Sequence, residues 1–239
     1  MCDGTGFVVD ETTNTASDCR CRPGRIAKIR AARLEGRIPR RYQGVSFDRP
    51  PVSDIARTAP DQIQTVRRYV RAFEENLDSG KGLWIQGDVG TGKTTLAMLV
   101  SKTALDAGRS VAIYSLPRLL NLLRESMSSD SGMLDFMDRL TAVDLLHLDD
   151  LGAETQSDWV LEQLYSIVNA RYEAERAIIA TTNLMPDELA ERLGARTVSR
   201  LVEICGDLIP LFGEDKRQEF RAERSPETEL GSELGQYTT

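Results

Sequence analysis

The chain has 239 residues, of which 41% are hydrophobic and 28% are charged, and its formal net charge is −7. This composition is typical of a globular protein with one main core. No run approaches the roughly 20 apolar residues that a membrane helix needs, and the N-terminal residues MCDGTGFVVDE are unlike a secretion signal. We expect a cytoplasmic protein that has no membrane partner, and the negative charge argues against indiscriminate nucleic-acid binding.

Residues 1–22 form a cysteine-containing head that carries Cys2, Cys19 and Cys21. In a reducing compartment, this C-x-C spacing with a glycine turn nearby suggests a small zinc site rather than disulfides. Zinc takes four ligands and the head offers three, so the motif is partial. The alternative is a set of unligated thiols in a frayed terminus.

Residues 23–54 form a basic arm. Between Arg20 and Arg41 the sequence has nine arginines or lysines and only one acid, Glu35. The run GRIAKIRAARLEGRIPRRY predicts a short basic helix. A solvated linker is the alternative interpretation.

Strand and helix patterns alternate between residues 55 and 217, which we predict to be the main domain. Short apolar runs predict strands at residues 83–86, 111–114, 145–148 and 177–180. Helical patterns cover residues 94–107, 117–127 with 133–140, and 157–174. Such alternation predicts an α/β fold with a parallel sheet, whose ligand binds at the carboxyl ends of the strands. Residues 218–239 are polar and acidic, which predicts a disordered tail.

A glycine-rich turn follows the first strand of this domain. Residues 87–94, GDVGTGKT, fit the pattern G-x-x-x-x-G-K-[ST] at every fixed position, between a strand and a helix. Backbone amides of such a turn bind phosphate oxygens, a lysine reaches the terminal phosphates, and a hydroxyl binds Mg²⁺. We predict that ATP is bound by Gly87, Gly90, Thr91, Gly92, Lys93, Thr94 and Thr95, and that Thr94 is also a Mg²⁺ ligand.

Polar side chains end the next strands. Asp149 and Asp150 close the run LLHLDDLG, and Asn183 follows AIIATT. Because unpaired charges at the end of a buried strand are costly, we predict that Asp149 holds Mg²⁺ through water and that Asp150 takes a proton from, or orients, the attacking water. The alternative is a helix cap or a surface turn at the end of the strand. Asn183 can hold the same water or contact the γ phosphate without adding charge. His147, the only histidine, is interpreted as a satisfied core residue rather than a catalyst.

Five motifs between residues 40 and 217 together resemble the AAA+ ATPases, which are P-loop NTPases. They are GDVGTGKTT, LLHLDDLG, WVLEQLYSIVNARYE, TTN and RTVSRLVEICGD. Within that class the chain is similar to the bacterial replicative-helicase loaders of the DnaC and DnaI type, which are related to the IstB transposition helper ATPases. The resemblance implies that Asp150, Asn183, Arg200 and Arg217 are the catalytic residues, with Arg200 as an arginine finger and Arg217 as the sensor 2 arginine.

Two features qualify that assignment. Arg196 and Arg200 lie four residues apart on one helix face, so a solvated basic face is the alternative to a finger. Asp150 stands where most AAA+ proteins carry glutamate, which predicts a slower base or a residue that only holds water.

The resemblance implies an ATP-dependent loader that hydrolyses ATP, self-oligomerises on ATP binding, and engages a hexameric replicative helicase of the DnaB type. It also places Arg118 and Arg124 where loaders contact single-stranded DNA, although no aromatic stacking residue is expected beside them. The alternatives are an IstB-like ATPase that assists a transposase, a P-loop small-molecule kinase, and a nucleotide-gated adaptor that scarcely hydrolyses ATP.

Overall fold

The computed structural model describes residues 2, 7–10, 13, 15–19, 37–127, 130–153, 157–213 and 215. Cys21, most of the predicted basic helix, Arg217 and the predicted disordered tail lie outside these residues. No helix within the described ranges combines the length and the apolarity of a membrane span.

Two short strands in the head, β1 (Phe7–Asp10) and β2 (Thr15–Asp18), pair in antiparallel orientation. A 3-10 turn (Arg40–Tyr42) follows, and then the main domain begins. Its helices are α1 (Val52–Thr58), α2 (Pro60–Arg71), α3 (Phe73–Asp78), α4 (Lys93–Asp106), α5 (Leu116–Ser126), α6 (Asp130–Ala142), α7 (Asp158–Glu173), α8 (Pro186–Leu193) and α9 (Ala195–Cys205). Its strands are β3 (Leu83–Gln86), β4 (Val111–Ser115), β5 (Leu145–Leu151), β6 (Ala177–Thr182) and β7 (Ile209–Pro210).

The five strands of the main domain form one sheet in the order β4-β5-β6-β3-β7, and every pair is parallel. The predicted parallel α/β core is therefore confirmed. Strands β5 and β6 both run past their predicted ends, so that Asp149 and Asp150 belong to β5 rather than to a loop after it. This extension brings the acid pair level with the end of β6, because the two strands stay paired as far as Leu151 and Thr182.

Apolar layers cover both faces of the sheet. Trp84 points into the layer that contains α5 and α7, and Ile85 points into the layer that contains α2 and α4, as the period of two in a strand requires. Phe47, from the predicted basic arm, packs against the second layer. Residues 38–47 therefore lie on the main domain.

One arginine is completely buried at the end of the sheet opposite the glycine turn. Arg171 on α7 donates hydrogen bonds to the carbonyl oxygens of Leu140 (2.6 Å), Val143 (3.1 Å), Asp144 (3.2 Å) and Ala177 (2.7 Å). Burial, together with the nearby Arg176 charge, lowers the pKa of Arg171 to about 9, so the guanidinium is still charged at neutral pH. It joins the end of α6 to the beginnings of β5 and β6.

Candidate functional site

The glycine turn lies between β3 and α4 at the carboxyl end of the sheet. Gly90 and Gly92 have φ values of 80° and 104°, which glycine adopts without steric cost. A side chain at Gly90 would also collide with the Asp215 carboxylate, and one at Gly92 with Ile55. Because the first amides of a helix have no partner within it, the beginning of α4 at Lys93 turns N–H donors toward this loop.

A cavity of about 240 Å³ opens beside the turn. It is lined by Arg41, Tyr42, Pro51, Ile55, Gly90, Thr91, Gly92, Lys93, Thr94 and Thr95. Sequence reasoning identified the six residues from the turn and α4 but missed the four upstream ones. The Arg41 guanidinium lies 4.6 Å from the centre of the Tyr42 ring, so a cation and an aromatic ring stand together at the mouth of the cavity.

Lys93 is only 7% exposed, and its Nζ donates a hydrogen bond of 2.6 Å to the carbonyl oxygen of Asp88. The Thr91 hydroxyl donates to the same carbonyl at 3.0 Å. These contacts fold the loop around its own first residues. They also hold a buried positive charge against the cavity, which suits an anionic ligand.

Two threonines bracket the first acidic residue of β5. Thr94 Oγ1 donates to Asp149 Oδ1 at 3.0 Å, and Thr181 Oγ1 on β6 donates to the same oxygen at 2.7 Å. Burial alone would raise the pKa of Asp149, but the nearby His147 imidazole and the hydrogen bonds from Thr181 and Thr94 outweigh it and hold the pKa below its ordinary value. An ionised carboxylate beside a hydroxyl supplies the hard oxygen donors that Mg²⁺ prefers, so these residues fit that ion.

The second acidic residue has an unusual backbone. Asp150 has a φ of 65°, and the pairing of β5 with β6 is irregular between Leu148 and Leu151. The left-handed conformation of Asp150 is held by a hydrogen bond of 2.9 Å from its amide to Thr181 Oγ1. Asn183 Nδ2 donates to Asp150 Oδ1 at 3.2 Å, so the structure brings these two predicted catalytic side chains together.

This conformation gives a physical reason for aspartate at position 150. Aspartate and asparagine enter the left-handed region more readily than longer side chains do. Thr181, whose hydroxyl contacts both acidic residues, was missed by sequence reasoning. Its signal in the sequence is its place as the first residue of the TTN motif, at the end of an otherwise apolar strand.

His147 is fully buried, as predicted, but it is not a fully satisfied residue. Its Nδ1 lies 3.0 Å from Ser101 Oγ on α4. Its Nε2 has no hydrogen-bond partner within the described part of the chain and lies 3.8 Å from Asp149 Oδ1.

Arg200 lies on α9, outside the group formed by the turn and the acid pair. Its guanidinium carbon is 4.0 Å from the centre of the Tyr172 ring, and its NH1 donates to Glu203 Oε1 at 2.9 Å. The Tyr172 hydroxyl donates to the other oxygen of Glu203 at 2.7 Å. Arg196, which lies one turn earlier on the same face of α9, is exposed. Arg200 is thus held in place on a partly exposed surface, whereas Arg217 lies outside the described residues.

The expectation that no aromatic residue accompanies Arg118 and Arg124 is wrong. The Arg124 guanidinium carbon lies 4.5 Å from the centre of the Trp159 ring. Trp159 is 35 residues further along the chain, so the spacing on α5 alone gave no sign of it.

Cys19 directly follows β2, Cys2 precedes β1 in the sequence, and Cys21 is outside the described residues. Among the residues that the structure describes, no group of three or more histidine, cysteine or acidic side chains is arranged to hold a metal. Nothing there supports zinc, and the zinc site remains a prediction.

Comparison with protein families identifies this arrangement. The model of the IstB-like ATP binding proteins matches residues 66–204, which is more than half of the chain. The chain is 25% identical to the replicative helicase loader DnaI of Bacillus subtilis over 73% of its own length and 58% of that protein. It is 28% identical to the replicative helicase loader DnaC of Escherichia coli over 58% of its own length and 56% of that protein. The chain therefore spans less than two thirds of these relatives.

Solved structures agree in fold. A crystal structure of the DnaC helicase loader matches with a TM-score of 0.60 and 29% identity, over 72% of this chain and 99% of that one. One of DnaI matches with a TM-score of 0.59 and 25% identity, over 75% and 94%. AMPPCP-bound DnaA from Aquifex aeolicus, at 23% identity, a TM-score of 0.59 and coverage of 75% and 53%, shows likeness of fold alone. The predicted AAA+ fold and the resemblance to helicase loaders are confirmed.

Proposed function

The chain belongs to the family of IstB-like ATP binding proteins, and from that membership we propose that it is an ATP-hydrolysing loader of a replicative DNA helicase. The observation that carries the proposal is the contact between Thr94, which lines the cavity, and Asp149, because it joins the glycine turn to the acid pair. Similarity to proteins named replicative helicase loader supports the choice of partner.

ATP occupies the cavity in this proposal. The amides of the turn and of the first residues of α4 bind the phosphates, and Lys93 leaves the Asp88 carbonyl to contact the terminal phosphates. Arg41 and Tyr42 line the same cavity and flank the base, because a ring and a cation can both stack on a purine.

Thr94 and Asp149 are the residues that would hold Mg²⁺. That ion supplies charge neutralisation on the phosphate oxygens. Thr181 keeps the Asp149 carboxylate turned toward Thr94 through its hydrogen bond of 2.7 Å.

Asp150 and Asn183 orient the attacking water. Their side chains share a hydrogen bond, so one carboxylate oxygen of Asp150 is fixed and the other is available to accept a proton. Water attacks the γ-phosphorus, the bond from that atom to the bridging oxygen breaks, and ADP leaves with inorganic phosphate formed.

Arg200 completes the site from a second copy of the chain. Within its own chain, Arg200 donates a hydrogen bond to Glu203 and contacts the ring of Tyr172, so it is held outside the glycine turn and acid pair of that chain. The Arg200 guanidinium can then reach a γ-phosphate only if copies of the chain assemble when ATP binds. Arg217 remains proposed as the sensor 2 arginine.

ATPase assays test these assignments. Lys93→Ala should abolish hydrolysis, whereas Lys102→Ala, a change on the exposed side of the same helix, should not. Arg200→Ala should abolish hydrolysis but keep ATP binding, with Arg196→Ala as the matched control. Mixing the inactive Arg200→Ala and Lys93→Ala proteins should restore part of the activity. Activity that is unchanged by dilution, or by loss of Arg200, would refute action between chains.

The proposed partner is a hexameric helicase of the DnaB type, which the chain helps to place on single-stranded DNA in the cytoplasm. The Arg124–Trp159 pair supports the DNA contact, because single-stranded nucleic acid is bound by cations and aromatic rings together. The IstB-like family match keeps a transposase helper as the second candidate. Pull-down of purified helicase, but not of transposase, would support the loader, and the reverse result would replace it.

A further inference from the structure

The only histidine of the chain lies against the proposed Mg²⁺ ligand, and the function proposed above does not use it. His147 faces the layer that contains α4, because it alternates along β5 with Leu146 and Leu148 of the opposite layer. It is fully buried, so it reaches neither solvent nor the attacking water. Any chemical role of this imidazole must act through a neighbouring side chain.

Ser101 determines which nitrogen of His147 carries the proton. The Ser101 hydroxyl is completely buried, and Nδ1 of His147 at 3.0 Å is its only hydrogen-bonding partner among the described residues. If Nδ1 carried the proton, Ser101 would accept it and its own O–H would be buried without an acceptor, at a cost of about 1–3 kcal/mol. Donation from Ser101 to Nδ1 avoids that cost and leaves the proton on Nε2.

The Nε2 proton then faces a carboxylate. Asp149 Oδ1 lies 3.8 Å from Nε2, just beyond hydrogen-bonding distance, and Nε2 has no other partner among the described residues. The opposite tautomer would aim a lone pair at the same oxygen, which is repulsive. Both the serine and the carboxylate therefore favour the same tautomer.

The His147 donor becomes important to Asp149 when Mg²⁺ binds. Two hydroxyls hold the carboxylate in the structure, and one of them, on Thr94, is a proposed ligand of Mg²⁺. When the Thr94 oxygen turns to the ion, Asp149 loses that donor and keeps only Thr181. His147 is the remaining donor within reach.

We infer that His147 is a positioning residue for Mg²⁺ binding. When the ion binds, the His147 Nε2–H donates a hydrogen bond to Asp149, and Ser101 keeps the proton on Nε2. The inference rests on the proposed function, because it takes Asp149 as the Mg²⁺ ligand. Partners behind a metal ligand typically contribute 10- to 100-fold to metal affinity, so the expected effect is measurable.

Nitrogen-15 NMR of the imidazole gives the first test. The full chain without affinity-tag histidines has a single histidine, so its two ring nitrogens need no assignment among other residues. The expected spectrum has the proton on Nε2, and Ser101→Ala should weaken that preference. A proton on Nδ1 in the wild type would overturn the inference, whether or not the protein binds ATP.

Affinity for ATP, measured by calorimetry with Mg²⁺ and again with a chelator, gives the second test. His147→Leu should reduce the gain in affinity from Mg²⁺ by about 10-fold or more and leave binding without the ion unchanged. His147→Gln, which keeps an N–H near the Nε2 position, should restore most of the gain. Leu145→Val shortens a buried side chain on the same face of β5 and should change neither affinity.

The outcomes separate the two proposals. A wild type that gains no affinity from Mg²⁺ would refute the proposed function and the role of His147 with it. A wild type that gains affinity, and a His147→Leu variant that gains as much, would refute only the positioning role. Equal losses with and without the ion, or failure of His147→Gln to restore the gain, would likewise reduce His147 to a core residue.

Discussion

Replacing Thr181 with valine should uncouple the two acidic residues while keeping the volume of the side chain. The Thr181 hydroxyl donates to Asp149 Oδ1 at 2.7 Å and accepts from the Asp150 amide at 2.9 Å, and the residue is 1% exposed. A hydrogen bond to a charged group contributes about 1.5–3 kcal/mol and a neutral one about 1 kcal/mol. Thr181→Val should therefore lower the free energy of unfolding by about 3 kcal/mol.

Thr182→Val is the matched control, because the next residue is also buried and also makes two hydrogen bonds through its hydroxyl. It donates to the Leu151 carbonyl at 2.8 Å and accepts from the Leu184 amide at 3.0 Å, and neither bond involves a carboxylate. We expect it to cost about 2 kcal/mol of stability and to leave Mg²⁺-dependent ATP affinity intact.

Urea unfolding and ATP titrations with and without Mg²⁺ check both variants. Thr181→Val should lose about 10-fold or more of the affinity that Mg²⁺ confers, since a partner of the metal ligand has been removed. If the two threonine variants lost that affinity equally, or if neither did, the reasoning about Thr181 would be wrong.

The hydrogen bond from Thr181 is one of the contacts that hold the pKa of Asp149 low, so it predicts a dependence on pH. Because the pKa of folded Asp149 lies below its ordinary value of 3.8, the stabilisation is fully present above that pH and is lost as the pH falls through the lower, folded value. The difference in unfolding free energy between wild type and Thr181→Val should thus be constant from pH 7 to about pH 5 and shrink below pH 3.8. A difference that grows on acidification would contradict this sign.

Three further predictions concern single residues. Asp150→Glu should lower the free energy of unfolding by about 1 kcal/mol without raising turnover, because a longer side chain is disfavoured at a φ of 65°; a faster and equally stable enzyme would contradict this. Arg171→Met should lower the free energy of unfolding by about 4 kcal/mol, because four carbonyl groups each lose a hydrogen-bond donor at about 1 kcal/mol. Urea unfolding measures this change, and a decrease smaller than that of Thr182→Val would contradict the prediction. Tyr172→Leu should reduce ATPase activity about 2- to 5-fold at unchanged ATP affinity by releasing Arg200, and an effect on ATP affinity alone would exclude this.

Local patterns determined what could be predicted from the sequence. The strand at residues 83–86 was predicted with its observed bounds, because four consecutive buried residues followed by a glycine turn leave little choice. The glycine turn was equally clear, since its chemistry requires fixed residue types at fixed spacing. The two-residue strand β7 was missed, because two residues carry no periodicity.

Contacts between distant segments account for what the sequence could not show. Tyr42 reaches the cavity from about 50 residues upstream of the turn, and no spacing rule links the two. The left-handed conformation of Asp150 depends on a hydroxyl from β6, so the sequence around Asp150 does not contain its cause. Tertiary hydrogen bonds of this kind are visible only once the order of the strands is known.

The buried Arg171 makes the amino-terminal and carboxyl ends of the central strands unequal in stability. A single cation donates to four carbonyl oxygens where β5 and β6 begin, at the end of the sheet opposite the glycine turn. Amides around these hydrogen bonds should exchange with solvent only on global unfolding, while those of the glycine turn open locally. The amino-terminal ends of β5 and β6 should therefore stay closed while the carboxyl ends of the strands, which carry the glycine turn and the acid pair, open and close locally.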